Sequence, residues 1–385
     1  MTPGHIYSRI PRNSHVTPRC PPGGLWKVTA NNTHPGWLRC QTANHHRPLK
    51  NHVNQNVKQV VLGNLQFKAW FDSRYPEELV RPGDGTLYVC RWCFRYTCDK
   101  QAYLGHTPTC TSKDSPLGTQ IYEHGGYSVW EVDGEDQKLF AQNLSLFAKL
   151  FLDHKSVFFD VSSFLYYLLV YTNPADPDDY HVLGFFSKEK MSWDANNLAC
   201  ILIFPPYQHK QLGKLLMGIS YKLSAWEWKD GVIGGPEKPL SEMGHKSYVR
   251  FWEERMARFF LHVSPSGVKD EQPKANNAKP PPSKKYRKKP PRERMSIQDI
   301  GQATGMLAED VLTALNSMGV VQAEKKPVKR KRASQPEGDD DLPIAVIRRS
   351  NVLEWSKSHK VNLRDPVHEE GFIGEWATGS DKESD

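Results

Sequence analysis

The sequence predicts a mixed α/β fold: one central mixed sheet, a small metal-held region before it, and a helix-turn-helix region after it. Three observations carry this. Strand-type apolar runs alternate with amphipathic helical runs between Tyr127 and Leu261. A Cys/His quartet precedes them, and two short amphipathic helices split by Thr304-Gly-Met follow them.

Residues 1–55 are rich in Pro, Asn, His and Gly without sustained periodicity, so they are read as a disordered tail. Order is expected from Lys58, where KQVVLGNLQFKAWF suggests a strand pair turning at Gly63. Short strands are expected at Leu87–Cys90 and Tyr127–Val132. A helix follows over Gln137–Leu152, with Phe140, Leu144, Phe147 and Phe151 spaced to share one face. Strands are read at Phe164–Thr172, His181–Ser187 and Leu198–Phe204, the first two joined by an Asn173–Asp179 hairpin loop rich in Pro and Asp. Leu212, Leu215, Leu216, Ile219 and Leu223 line one face of the next helix, and a last long helix lies near Tyr248–Leu261. The resulting divisions are a tail (1–55), an N-terminal subdomain (56–124), a core (125–265), a basic Pro/Lys-rich linker (266–295), a C-terminal subdomain (296–375) and a short tail (376–385). For the helix pair within Ser296–Val321, packing is expected ahead of DNA recognition.

Composition narrows the classes. At 385 residues the chain can hold several domains, and 28 prolines point to unfolded segments beside them. The net charge of +8 is uneven. Lys279–Arg294 holds eight Lys/Arg against one Glu, and Lys325–Arg332 has six basic residues in eight, followed by the acidic Glu337–Asp341. Such blocks suit a polyanion or a nuclear-import receptor, or serve only as solvated linkers. The most apolar stretch, Phe164–Tyr171, is eight residues, too short to span a bilayer, and the first thirty residues lack the apolar run of a signal peptide, so none is expected there. A soluble protein without a membrane partner is expected. Seven cysteines, an odd number, argue against a disulfide framework and for metal or catalytic use.

Cys90, Cys93, His106 and Cys110 read C-x2-C-x12-H-x3-C. Four such ligands close a tetrahedron around one Zn²⁺ and leave no open position, so the metal is expected to be structural. Lys100–Gly105 would be a short helix beside the second pair, and Cys98 a bystander. A solitary motif whose helix is interrupted by Gly105 and Pro108 offers little for base readout.

Pro205–Leu216 reads PPYQHKQLGKLL: strand end, polar turn, apolar helix. Backbone N–H groups at a helix N-terminus suit an anion, and His209, Lys210 and Lys214 add positive potential. Gln211 stands where such a turn would often carry Gly, and Gly213 remains at the helix start. Glu237, in GGPEKPLSE, is either a proton acceptor held by a stiff turn or a surface carboxylate paired with Lys238. Cys200 lies among apolar strand residues, where a lone cysteine is usually core.

The quartet, together with LFLDHKSVFFDVSSFLYYLLV, NNLACILIFPPYQHKQLGKLLMGISYKLS and GGPEKPLSEMG, resembles the MYST family of histone acetyltransferases, over about residues 57–375 and in the family's order. Ile203–Phe204 and Leu212-Gly213 are closer to its fungal silencing-associated subtype. The resemblance implies an acetyl-CoA-binding N-acyltransferase core. Gln208, His209, Lys210, Gln211, Leu212, Gly213 and Lys214 would form the cofactor loop. Ile201, Leu202 and Ile203 would flank the acetyl and pantetheine arm, and Ser241 would be a further contact. It implies Glu237 as the base, Cys200 beside the thioester, and Lys155 as a site of autoacetylation. Histone tails (H4, by the subtype), nucleosomes, the subunits of a chromatin-modifying complex and a nuclear location are implied as well; DNA contact through the basic tracts is an option that their charge alone raises.

The chain departs from the family's loop pattern, Q/R-x-x-G-x-G/A, at Gln211. A position near Ile203 often carries a hydroxyl residue in relatives. The insertion 325–341 is expected as a surface loop, and no chromodomain-like segment is expected in residues 1–55. Two other readings stay open: a catalytically dead chromatin-binding scaffold, and a zinc-dependent nucleic-acid-binding protein.

Overall fold

A computed structural model describes residues 28–29, 38–40, 56–80, 85–228, 231–261, 294–322 and 344–377. The elements are β1 (Val28–Thr29), β2 (Leu38–Cys40), β3 (Gln59–Leu62), β4 (Leu65–Lys68), β5 (Thr86–Val89), β6 (Tyr96–Thr97), α1 (Lys100–His106), β7 (Thr119–His124) and β8 (Tyr127–Asp133). Then come α2 (Lys138–Lys149), β9 (Phe164–Asn173), β10 (Asp176–Glu189), β11 (Asn196–Leu198), β12 (Cys200–Ile203), α3 (Leu212–Glu227), β13 (Gly235–Pro236) and α4 (Glu242–Leu261). The C-terminal region holds β14 (Arg294–Ser296), α5 (Ile297–Thr304), α6 (Ala308–Met318), β15 (Val321–Gln322), β16 (Ile344–Ile347) and α7 (Arg349–Ser358).

The central sheet runs β12-β10-β9-β8-β7, and each of its pairings is antiparallel. The mixed α/β class holds, but the central sheet is not itself mixed. Tight hairpins join β7 to β8 and β9 to β10, and such hairpins force antiparallel neighbours. Parallel pairs occur elsewhere, at β3/β5, β2/β4 and β11/β13. The expected strand Leu198–Phe204 divides: Asn196–Leu198 leaves the sheet to pair with Gly235–Pro236, and Cys200–Ile203 stays at its edge. The Pro/Asp-rich stretch is mostly strand, since β10 already begins at Asp176 and a bulge before Tyr180 absorbs the irregular residues. In the N-terminal sheet, β1 and β2 are short strands inside the segment read as a disordered tail.

Period-two alternation along β9 divides the interior. Tyr166, Leu168 and Val170 face α2, whose Phe140, Leu144 and Phe147, with Phe151 just past its end, are buried as their spacing predicts. Tyr167 and Leu169 face the other side, where α3, α4, α5 and α6 pack. The helix pair of the C-terminal region is a packing unit: Val311, Ala314, Leu315 and Met318 are buried in that same cluster. The expected break between its helices is Gly305, at φ +62. The linker 266–295 and the insertion 325–341 lie outside the described residues except at Arg294 and Met295.

Candidate active site and zinc centre

Tetrahedral Zn–S bonds of about 2.3 Å set sulfur atoms about 3.8 Å apart. Cys90 Sγ lies 3.7 Å from Cys110 Sγ, and Cys93 Sγ lies 3.3 Å from His106 Nε2. All four ligand atoms fall within 4.8 Å of one another. Cys90 and Cys93 flank the turn after β5, and α1 delivers His106. Asp99 caps α1, accepting from the Gln101 and Ala102 amides. The donor set therefore fits a closed structural zinc site. Cys98 stands outside the set.

The edge strand β12 places Cys200 and Ile203 at the rim of the central sheet. A side chain at Gly184 would meet the Leu202 carbonyl oxygen at 2.3 Å, so glycine is what lets β10 approach this strand. The chain then turns through Pro205–Tyr207, and the Gln208 side-chain Nε2 donates to the Ile203 carbonyl at 2.8 Å, bracing the turn. His209 and Gln211 both sit in left-handed backbone, at φ +62 and +65. Gln211 is the N-cap of α3 and makes no side-chain capping bond. The first amides of α3, at Leu212 and Gly213, have no acceptor in their own helix. A side chain at Gly213 would find only Ile203 Cγ1, at 4.0 Å. This open space over free amides fits an anion such as the pyrophosphate of CoA.

Charge at this end is arranged differently from the expectation. Lys214 is held by Glu254 at 2.7 Å, and Arg250 joins the same carboxylate at 3.1 Å. Lys210 and Gln211 line a cleft of about 220 Å³ together with Tyr122, Tyr127, Arg364 and His368. Arg364 and His368 come from the segment after α7, which returns to β7 through Ile373 N–H donating to the Ile121 carbonyl at 3.0 Å. No sequence motif marked them, because their approach is made by tertiary packing.

At the other end of β12, the Glu237 amide donates to the Leu198 carbonyl at 2.9 Å, docking the GGPEKP turn onto β11. The Glu237 side chain is exposed, while Lys155 is buried, its Nζ 4.0 Å from Cys200 Sγ. The Glu237 carboxyl is raised above its ordinary value, first by desolvation and then by Glu189, with Lys155 opposing. Lys238 pairs with neither Glu237 nor solvent alone. It binds Asp310 at 2.7 Å, and also Glu309, at the start of α6. The surface ion pair considered from sequence is therefore not formed, and the charges of Glu189 and Lys155 act on the Glu237 carboxyl in opposite directions. Sequence reasoning missed Glu189, whose only signal is its place at the end of β10, one residue before the chain leaves the sheet. It also missed Asn197, whose buried carboxamide has no partner among the described residues. Ser241 caps α4 by accepting from the Gly244 amide at 3.1 Å.

The chain thus holds a carboxylate, a lysine and a thiol at one end of an edge strand, and a helix N-terminus at the other. A profile for the MOZ/SAS family matches residues 115–336, and one for the MYST family zinc finger domain matches residues 54–110. Histone acetyltransferase MOF of Drosophila melanogaster is 36% identical over 265 residues, 69% of this chain and 28% of that protein. The histone acetyltransferase Tip60 homolog of Caenorhabditis elegans is 34% identical over 289 residues, 72% of this chain and 56% of that protein. Histone acetyltransferase of the MYST family 1 of Arabidopsis thaliana is 36% identical over 272 residues, 70% of this chain and 53% of that protein. The matched region spans little more than half of these relatives at most. With a family profile covering over half of its length, the chain belongs to the MOZ/SAS family, and its N-terminal subdomain carries that family's zinc finger.

Proposed function

We propose that the chain is a nuclear protein-lysine acetyltransferase that moves the acetyl group of acetyl-CoA to the ε-amino group of lysines in histone tails, H4 among them. It would work beside the subunits of a chromatin-modifying complex. The observation that carries this is the edge strand β12, which has Cys200 beside Lys155 at one end, next to the strand that docks the Glu237 turn, and leads at its other end to the N-terminus of α3.

In this reading the α3 amides hold the diphosphate, and the free edge of β12 (Ile201–Ile203) carries the acyl arm toward Cys200. The acceptor lysine enters as an ammonium with an ordinary pKa near about 10 and must lose a proton before it can attack. Glu237 takes that proton. The amine nitrogen then bonds to the thioester carbonyl carbon, the C–S bond breaks, the CoA sulfur leaves with the electron pair, and the nitrogen gives up its second proton to that thiolate, leaving the amide and free CoA thiol. Cys200 and Lys155 shape the acyl pocket, and this direct path needs no enzyme-bound acyl group. Zinc supplies no chemistry here, since its four ligands fill a tetrahedron.

Thermal stabilisation by acetyl-CoA, with acetylation of an H4-tail peptide by the same preparation, tests the reading. Binding without transfer to any histone peptide favours the scaffold instead.

A further inference from the structure

Between β10 and β11 the chain leaves the sheet for six residues, Lys190–Ala195, and at its tip the structure does something costly. Trp193 is 98% exposed and Met191 81% exposed. Large aromatic side chains are normally well buried, so a bare tryptophan needs a reason.

Looseness is not the reason, because the loop is fastened at both ends. The Lys190 amide donates to the Ser163 carbonyl at 2.9 Å, and Lys190 Nζ pairs with Asp133 at 2.7 Å. At the far end the Asn196 amide donates to Ser192 Oγ at 3.0 Å, and Asn196 then pairs in register with Gly235. Ala195 is fixed at φ +52, and a side chain at Gly234 would strike its carbonyl oxygen at 2.3 Å. These anchors hold Trp193 away from the core.

They also fix where it stands. The loop begins immediately after Glu189, the last residue of β10, whose charge helps to raise the Glu237 carboxyl. It ends on the strand whose Leu198 carbonyl holds the Glu237 amide. The surroundings are acidic: Glu189, Glu237 and the exposed Asp194 lie on or beside it. Two adjacent cations are engaged, Lys190 with Asp133 and Glu135, and Lys188 with Glu227, while Lys155 is buried beside Cys200 rather than on the loop.

Resting on the acetyltransferase reading, we propose that the Lys190–Ala195 loop is the docking edge for the basic peptide segment that flanks the acceptor lysine, with Trp193 receiving an Arg or Lys side chain of that segment. An indole face attracts a cation, the guanidinium most of all, and the acidic surround complements the same charge. Met191 supplies an adaptable apolar floor beside it.

The test compares a twelve-residue peptide, one acceptor lysine flanked by arginines, with N-acetyl-lysine amide, which has no flanks. In Trp193→Ala the ratio of kcat/KM for the peptide to that for the minimal acceptor falls about tenfold, through KM for the peptide. Trp193→Phe restores most of it, and replacing the flanking arginines by glutamine abolishes the difference between wild type and Trp193→Ala. Equal ratios in wild type and Trp193→Ala would overturn the proposal. Fluorescence anisotropy of the labelled peptide reads the same loop without turnover. If wild type transfers nothing but Trp193→Ala weakens peptide binding, the acetyltransferase reading fails and the docking edge stands. Unchanged anisotropy removes the docking edge, whatever the transfer activity.

Discussion

Gln211→Gly bears on the most unusual feature of the proposed cofactor loop. Gln211 holds φ +65, ψ 7, caps α3, and gains no side-chain capping bond in return. A non-glycine residue in left-handed backbone carries strain of about 1 kcal/mol or more. Glycine adopts this conformation freely but loses more chain entropy on folding, which takes back a part of the gain. The expected net effect is a fold more stable by about 1 kcal/mol, or about 2–4 °C in the melting temperature. Affinity for acetyl-CoA changes only by the share of the strain that differs between free and bound loops. It is expected to tighten, by no more than about fivefold. Differential scanning fluorimetry and calorimetric titration with acetyl-CoA read the two effects, and Gln211→Ala separates their causes. Alanine removes the side chain but keeps the Cβ, so it should gain no stability. A glycine variant less stable than wild type would refute the strain reasoning, as would an alanine variant that gains equally.

Three further outcomes follow from the site. If Glu237 is the base as proposed, it must be ionised to accept a proton, and since its carboxyl is raised the acid limb of kcat/KM rises with pH through a midpoint above the ordinary 4.5. Glu189→Gln removes the neighbouring charge and shifts that midpoint to lower pH; an unmoved limb would detach Glu189 from the base. Stripping zinc with a strong chelator, or making Cys93→Ser, should unfold the N-terminal subdomain, since Cys90 and Cys110 sit in its buried cluster. An unchanged melting curve with zinc absent by elemental analysis would contradict a structural role. Lys238→Met leaves the buried Asp310 carboxylate without its main partner, which costs about 1–3 kcal/mol and loosens the Glu237 turn. Adding Asp310→Asn should recover much of the stability; a double variant as unstable as the single would show that the pair does not brace the turn.

Much of this molecule is legible in its sequence where one local rule acts alone. The α2 face follows from the spacing of four aromatic and aliphatic residues, and the zinc quartet from ligand spacing. What escaped depends on partners far along the chain. The strand β7 reads as an ordinary polar stretch until β8 pairs with it. The helix α7 buries only Val352, Trp355 and Ser356, too few to print a period. The early start of α4, at Glu242, is set by the Ser241 cap rather than by apolar residues. In the site, the family resemblance singled out Glu237 and Cys200, but nothing in the sequence showed that Lys238 would turn to α6 or that Glu189 would act on the Glu237 carboxyl. Those relations arise from the docking of the GGPEKP turn between β11 and α6, for which no short motif exists.

The decisive measurement is the rate of acetyl transfer from acetyl-CoA to a histone-tail peptide by wild type and Glu237→Gln, at saturating concentrations of both substrates. Acetyl-CoA affinity is measured on the same two preparations. Loss of the proton acceptor is expected to lower kcat by about 10²–10⁴-fold while acetyl-CoA affinity and the melting temperature stay as in wild type. A Glu237→Gln enzyme that turns over at the wild-type rate would contradict the assignment of Glu237 as the base and, with it, the mechanism built on this site.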